Sequence, residues 1–245
     1  MKVVLVTCAK NVGHCLDTWL EYHKDIGVTN FQIINHEPHA DDTVKVLSTF
    51  RDRYPETPNI LEVTSFTGPF DQCEWSRQVT NSVLSRNAKD ESLVIFFNDT
   101  DEYISANNGG RGPQSVIPFC SQVIDSLERL PIAEGTVRAS SFTVPQHVII
   151  PQTLDGSHNW RHDVWGALAP VHCGKTSLFV AAGDSKKITL TGWGPHRWWA
   201  NLHVHSNTPP IDWSSKSICI DPILWPEVFP YVQCHHCFFG PSFKL

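Results

Sequence analysis

The sequence contains no run approaching the roughly 18 consecutive apolar residues that a membrane-spanning helix requires, so no such helix is expected. It also opens without a secretory leader pattern: the apolar residues 2–6 run straight into Thr7-Cys8-Ala9-Lys10. A basic excess is missing too. Lys and Arg number 19 against 25 Asp and Glu, for a formal charge of −6, and no basic stripe is present to neutralise a nucleic-acid backbone. An acidic chain that takes a phosphorylated ligand needs a cation as a bridge. The cysteines stand dispersed at 8, 15, 73, 120, 173, 219, 234 and 237, and without a leader they read as reduced, mostly buried thiols of a cytoplasmic protein. No internal repeat and no long linker divides the chain.

What is present is a globular composition. Of 245 residues, 41% are hydrophobic and 18% charged, enough for one sizeable α/β domain with a real core. Short β-rich runs alternate with helical runs in the first half. Lys2–Thr7 predicts a strand. Residues 15–27 place Leu16, Trp19, Leu20, His23 and Ile26 at helical spacing, with Gly27 as the stop. Phe31–Ile34 is the second strand, and Asp41-Asp42-Thr43 caps a helix carrying Val44, Val46, Leu47 and Phe50. Ile60–Val63, a helix over 72–86 and the wholly apolar strand Leu93–Phe97 complete a β-α-β-α-β-α-β order, which implies a parallel, doubly wound sheet. Beyond Tyr103 come a Gly- and Asn-rich loop, a helix over 121–130, a strand over 137–144 and a half rich in Trp, His and Pro. One domain over 1–245 is expected: 1–104 for the nucleotide side, 105–245 to complete the site.

The most apolar strand stops in Asn98-Asp99-Thr100-Asp101-Glu102. Ligands of open parallel sheets bind beyond the carboxyl ends of the strands. Asp99 and Asp101, two apart, share a direction in extended chain. Adjacent carboxylates repel unless a proton or cation lies between them, and a divalent ion with oxygen ligands also neutralises a departing diphosphate. Acids at strand ends also serve as helix caps or solvated loops.

Several stretches carry a family likeness: VTCAKN (6–11), LDTWLEYHKDIGVTNFQII (16–34), DDTVKVL (41–47) and VIFFNDTDEYI (94–104). More loosely, CGKTSLFV (173–180) and GPHRWWANLHVHS (194–206) share it. Together they resemble nucleotide-sugar glycosyltransferases of the family 2-like and family 92 (DUF23-type) group, a general type that includes small soluble transferases of large algal viruses. The resemblance implies a GT-A (Rossmann-like) fold, a nucleoside-diphosphate sugar donor, UDP-linked, and Mn²⁺ or Mg²⁺. By the same resemblance Asp99, Thr100 and Asp101 match the metal and diphosphate motif, and His196 matches a further metal ligand. Thr7, Ala9 and Asn11 match the place of base and ribose, while Arg77 and Gln78 match donor-contacting helix positions. Val12 stands where the family has Glu. Ile34-Asn35-His36-Glu37 replaces its Y-D-N-x-S, so Asn35, His36 or Glu37 takes over nucleoside contact.

Other constellations remain open. In 194–206, Arg197 suits a phosphate, Trp198 and Trp199 suit a sugar face or a core, and His203 and His205 are weaker ligand candidates than His196. Cys234-His235-His236-Cys237, with Cys219, offers zinc-ligand types but no second C-x-x-C. His147 and residues 159–166 lie in a loop-rich stretch. An inverting transferase needs a base for the acceptor hydroxyl, and Asp163, His162 and Glu102 are the candidates. The expected function is metal-dependent transfer of a hexose or deoxyhexose from a nucleotide sugar to a hydroxyl of a glycan or glycoprotein. Nucleotidyl transfer, phosphohydrolysis and non-catalytic carbohydrate binding are the rivals.

Overall fold

The computed structural model describes residues 1–57, 59–106, 116–130, 137–151, 165–190, 202–204 and 232–237. The first hundred residues follow the expected alternation: β1 (Lys2–Ala9), α1 (Gly13–Asp25), β2 (Asn30–His36), α2 (Thr43–Arg53), β3 (Leu61–Phe66), α3 (Gln72–Arg86) and β4 (Leu93–Phe97). Then come β5 (Glu102–Ala106), α4 (Val116–Glu128), β6 (Ala139–Pro151), β7 (Trp165–Val180), β8 (Ile188–Leu190), β9 (Leu202–Val204) and β10 (Val232–Cys237).

Among the described residues, eight strands form one sheet in the order β3-β2-β1-β4-β7-β6-β10-β5, and β8 and β9 form a separate antiparallel pair. The pairings β3–β2, β2–β1, β1–β4 and β6–β10 are parallel. Those of β7 with β4 and β6, and of β5 with β10, are antiparallel. This is a mostly parallel, helix-flanked sheet of the Rossmann-like kind. The chain steps outward from β1 to β3 and then returns to the other side of β1 with β4, so the strand order reverses between β1 and β4. In open sheets of this kind, ligands bind outside the carboxyl ends at such a reversal.

Alternation along each strand feeds two cores. Val3 and Leu5 of β1, with Val94 and Phe96 of β4, pack with Leu16, Trp19 and Leu20 of α1, with α2 and with α4. Val4 and Val6, with Leu93, Ile95 and Phe97, pack with Trp75, Val79 and Val83 of α3. All five residues of β4 are buried, as a strand covered on both faces must be. Fully burying one such side chain contributes about 1.5–3 kcal/mol.

Helix α1 ends as its sequence predicts. Gly27 adopts φ +103°, its N–H donates to Lys24 O, and the Val28 N–H donates to His23 O at 3.0 Å, the bond pair of a Schellman stop. A Cβ at Gly27 would also lie 2.3 Å from Ile117, so α4 seats directly on this turn. The cap of α2 differs in detail from expectation. Asp42 occupies the cap position without a side-chain bond, and Asp41 instead accepts the Thr43 N–H at 3.0 Å.

The sheet beyond β4 is where the structure departs from the sequence reading. Residues 102–106, the boundary of the loop-rich region, form β5 at the far edge of the sheet. The strand expected over 137–144 runs on to Pro151, with register shifts after Pro145 and after His147. Proline cannot donate to a ladder and is tolerated at such irregularities. Among the described residues, no helix is long and apolar enough to cross a membrane.

Candidate functional site

The acidic turn joins β4 to β5 beside the strand-order reversal. Asp99, Asp101 and Glu102 each present a carboxylate oxygen such that all three lie within 4.8 Å of one another. Asp99 and Asp101 are half-buried and Glu102 is fully buried. The turn is held by its own backbone: Glu102 N–H donates to Asp99 O at 3.0 Å, and the Asp99 N–H donates to Glu102 Oε2 at 2.9 Å. Gln72, at the start of α3, donates its amide to Asp99 Oδ1 at 2.9 Å. A carboxylate has about four lone-pair sites, so these bonds do not exhaust the acids. Clustered carboxylate oxygens in a partly buried turn fit a hard divalent cation such as Mn²⁺ or Mg²⁺. Asp99 and Asp101 would hold it, with Glu102 fixing the turn behind them.

Helix α1 reaches this turn from below. Trp19 Nε1 donates to Glu102 O at 2.8 Å, and the Tyr22 hydroxyl donates to Ile104 O at 2.7 Å. Ile104 N–H donates to His23 Nε2 at 3.3 Å. The other ring nitrogen of His23 lies 2.9 Å from Trp19 O, so Nδ1 carries the proton. Burial pulls the imidazole down to about 3, which keeps it neutral. Cys15, a turn earlier, has its Sγ 3.9 Å from Thr100 O. Burial, with the Asp101 charge, pushes its thiol up to about 12.

The N-terminus of α1 is already engaged. A Rossmann-type site offers the free N–H groups of this helix start to a phosphate. Here the Asn11 N–H donates to His39 Nδ1 at 3.2 Å, Val12 N–H to Thr43 Oγ1 at 2.9 Å and Gly13 N–H to Asp41 Oδ2 at 2.8 Å. Asn11, at φ +54°, returns a bond by accepting the Ala40 N–H at 2.8 Å. The start of α2 lies so close that a Cβ on Gly13 would be 2.8 Å from Thr43 N. The N–H groups of Asn11, Val12 and Gly13 are thus taken, and the acids can meet an anion only through a cation.

The other predicted residues are placed as follows. Thr7 and Ala9 are fully buried, and the Thr7 hydroxyl has no hydrogen-bond partner among the described residues; Asn11 is exposed. Thr100 is buried, its carbonyl facing Cys15. His36 is half-buried at the end of β2, 3.0 Å from Gly68 O and stacked on Phe70 with centroids 5.5 Å apart. Phe70 is 54% exposed and lies two residues before Gln72. Asn35 and Glu37 bond each other and Ser65. Arg77 is committed to Glu74, whose carboxyl it holds at about 2, and to Leu190 O at 3.4 Å. Gln78 donates to Glu74 as well, at 2.8 Å. With Asn81, which brackets the Leu190 backbone at 2.9 and 2.7 Å, Arg77 ties α3 to β8.

His162, Asp163 and His196, together with Arg197, Trp198, Trp199 and His205, lie outside the described residues. Cys234 to Cys237 form part of β10, with His236 in register with Glu102 and His235 with Tyr103. Three residues apart on a strand, the two cysteine α-carbons are about 10 Å apart, beyond disulfide span. The contribution of Gln72 escaped the sequence reading, because a helix-start amide carries no signature until the strand it faces is known.

No family model matches the sequence, and no curated protein matches it. Solved structures overlap it loosely. Staphylococcus aureus TarS 1-349 is 13% identical over 65% of this chain and 38% of its own, with a TM-score of 0.36. The apo-form glycosyltransferase GlyE of Streptococcus pneumoniae TIGR4 is 10% identical over 76% and 35%, at 0.29. A putative glucose-1-phosphate thymidylyltransferase from Bacillus anthracis is 13% identical over 75% and 72%, at 0.31. The chain thus spans under two fifths of the TarS and GlyE structures. Overlaps this shallow do not carry a function.

Proposed function

We propose that the protein is a metal-dependent, cytoplasmic glycosyltransferase. It takes a nucleoside-diphosphate sugar, UDP-linked, and moves the hexosyl or deoxyhexosyl group to a hydroxyl of a glycan or glycoprotein, with inversion. The observation that carries this reading is the trio Asp99, Asp101 and Glu102, within 4.8 Å at the carboxyl end of β4, beside a helix start whose Val12 and Gly13 N–H groups are taken. The resemblance of residues 2–104 to nucleotide-sugar transferases supports the donor class, the metal and inversion.

In this reading Asp99 and Asp101 would hold the cation, joined by His196 as the family resemblance implies. Bound there, a divalent ion offsets the charge that builds on the leaving diphosphate. Gln72 fixes the Asp99 carboxylate. The acceptor oxygen forms its bond to the anomeric carbon as the bond to the diphosphate oxygen breaks, and the electron pair leaves with the nucleoside diphosphate. The hydroxyl proton goes to a base of the second half, Asp163 or His162. The burial of Glu102 and its bond to the Asp99 amide favour an orienting role over that of the base.

A melting-temperature screen of nucleoside diphosphates and their sugars, with and without Mn²⁺, tests this. Stabilisation by UDP or a UDP-sugar only when Mn²⁺ is present, lost in Asp101→Asn, is expected. Slow release of sugar from labelled donor should accompany it. Pyrophosphate release would transfer the site to nucleotidyl chemistry. Glycan binding that ignores EDTA and Asp101→Asn would make the protein a carbohydrate-binding module.

A further inference from the structure

We propose that Trp19, Tyr22 and His23 are positioning residues that set the geometry of the acidic turn, and through it the affinity for the cation; the second part rests on the metal reading above. Among the described residues, β5 is the last strand of the sheet and pairs on one side with β10. The outer edge of a terminal strand ordinarily meets water, a covering element or a further strand. Here Glu102 O, Ile104 N–H and Ile104 O are met by three side chains of one helix. The match is geometric. Positions 19, 22 and 23 lie on one face of a helix, and residues two apart on a strand turn their backbone groups to the same edge.

Glu102 is the joint between this edge and the acids. Its carbonyl belongs to Trp19, while its N–H and carboxylate belong to Asp99. A shift of β5 along α1 therefore displaces Glu102 and carries Asp99 with it. His23 adds direction: held at Nδ1 by Trp19 O, it can only accept at Nε2.

The test uses the full chain with Trp19→Phe, Tyr22→Phe, His23→Leu and His23→Gln. The first two keep the aromatic area and remove one donor each. Two readouts are taken: amide hydrogen exchange at Asp99 and Glu102, which needs no metal, and Mn²⁺ affinity by calorimetry. The expected result is that Trp19→Phe and Tyr22→Phe speed exchange at those two amides about tenfold, in line with losing one ordinary hydrogen bond. Mn²⁺ binding weakens by a similar factor, His23→Leu weakens it further, and His23→Gln, whose amide oxygen can take the Ile104 N–H, restores it. Exchange and Mn²⁺ affinity unchanged in Trp19→Phe and Tyr22→Phe, with only the melting temperature lowered, would overturn the proposal. A wild-type protein that binds no Mn²⁺ would remove the metal reading, and the exchange arm would then decide positioning alone.

Discussion

The His23 imidazole accepts the Ile104 N–H at 3.3 Å, deep between α1 and β5, and does so as a fully buried neutral ring. Its ordinary value of 6.5 is pulled to about 3 by burial. The unfolded chain therefore binds a proton that the folded chain refuses throughout the interval between these values. Stability from this group is complete above about pH 6.5 and falls as pH drops toward 3, by a few kcal/mol in all. Urea unfolding followed from pH 7 to pH 4 should show a steeper loss in the wild type than in His23→Gln, which has nothing to titrate.

Gly13→Ala should destabilise the protein by about 1–3 kcal/mol. The added methyl would meet backbone atoms of Asp42 and Thr43 at 2.9 and 2.8 Å, and backbone cannot rotate away as a side chain can. The urea midpoint measures it. An unchanged midpoint would mean that α1 and α2 start farther apart than described.

Cys15 and Cys120 should resist alkylation at pH 8 in the native protein. Burial raises both thiols, Cys15 to about 12 with help from Asp101, and the thiolate is the reactive form. Mass spectrometry after brief iodoacetamide treatment should find both unmodified until denaturant is added.

Asp184→Ala should cost about 3–5 kcal/mol. Asp184 is 2% exposed and accepts from Arg138 Nε and the Arg138 N–H, each at 3.0 Å, with Lys187 as a second cation. Those cations hold its carboxyl below the usual range against the opposing effect of burial. Removing it leaves a half-buried guanidinium without its anion. Calorimetric melting reads the loss.

The parallel half of the fold was legible because its signals are local. β4 is an unbroken apolar run, Gly27 marks the end of α1, and Asp99-Thr100-Asp101-Glu102 marks the strand end by charge. The second half of the sheet was not legible. β7 lies beside β4, and β10 between β6 and β5, through pairings of residues far apart in sequence, and nothing in a short window encodes a distant partner. The same reason hid Gln72 and the engagement of the α1 start by His39, Asp41 and Thr43. It also hid the duty of Trp19, Tyr22 and His23: their spacing announced a buried face but not the strand that face would grip.

The strand order has a consequence for any attempt to divide the polypeptide. β4, the last strand of the parallel half, takes β7 as its neighbour, while β5, only a few residues later, lies at the opposite rim beyond β10. A fragment cut after residue 104 would bare the flank of β4 and strand a lone ribbon against α1, so autonomous folding of either piece is not expected. Co-expressed fragments should instead recover solubility only as a pair, reassembling by mutual templating.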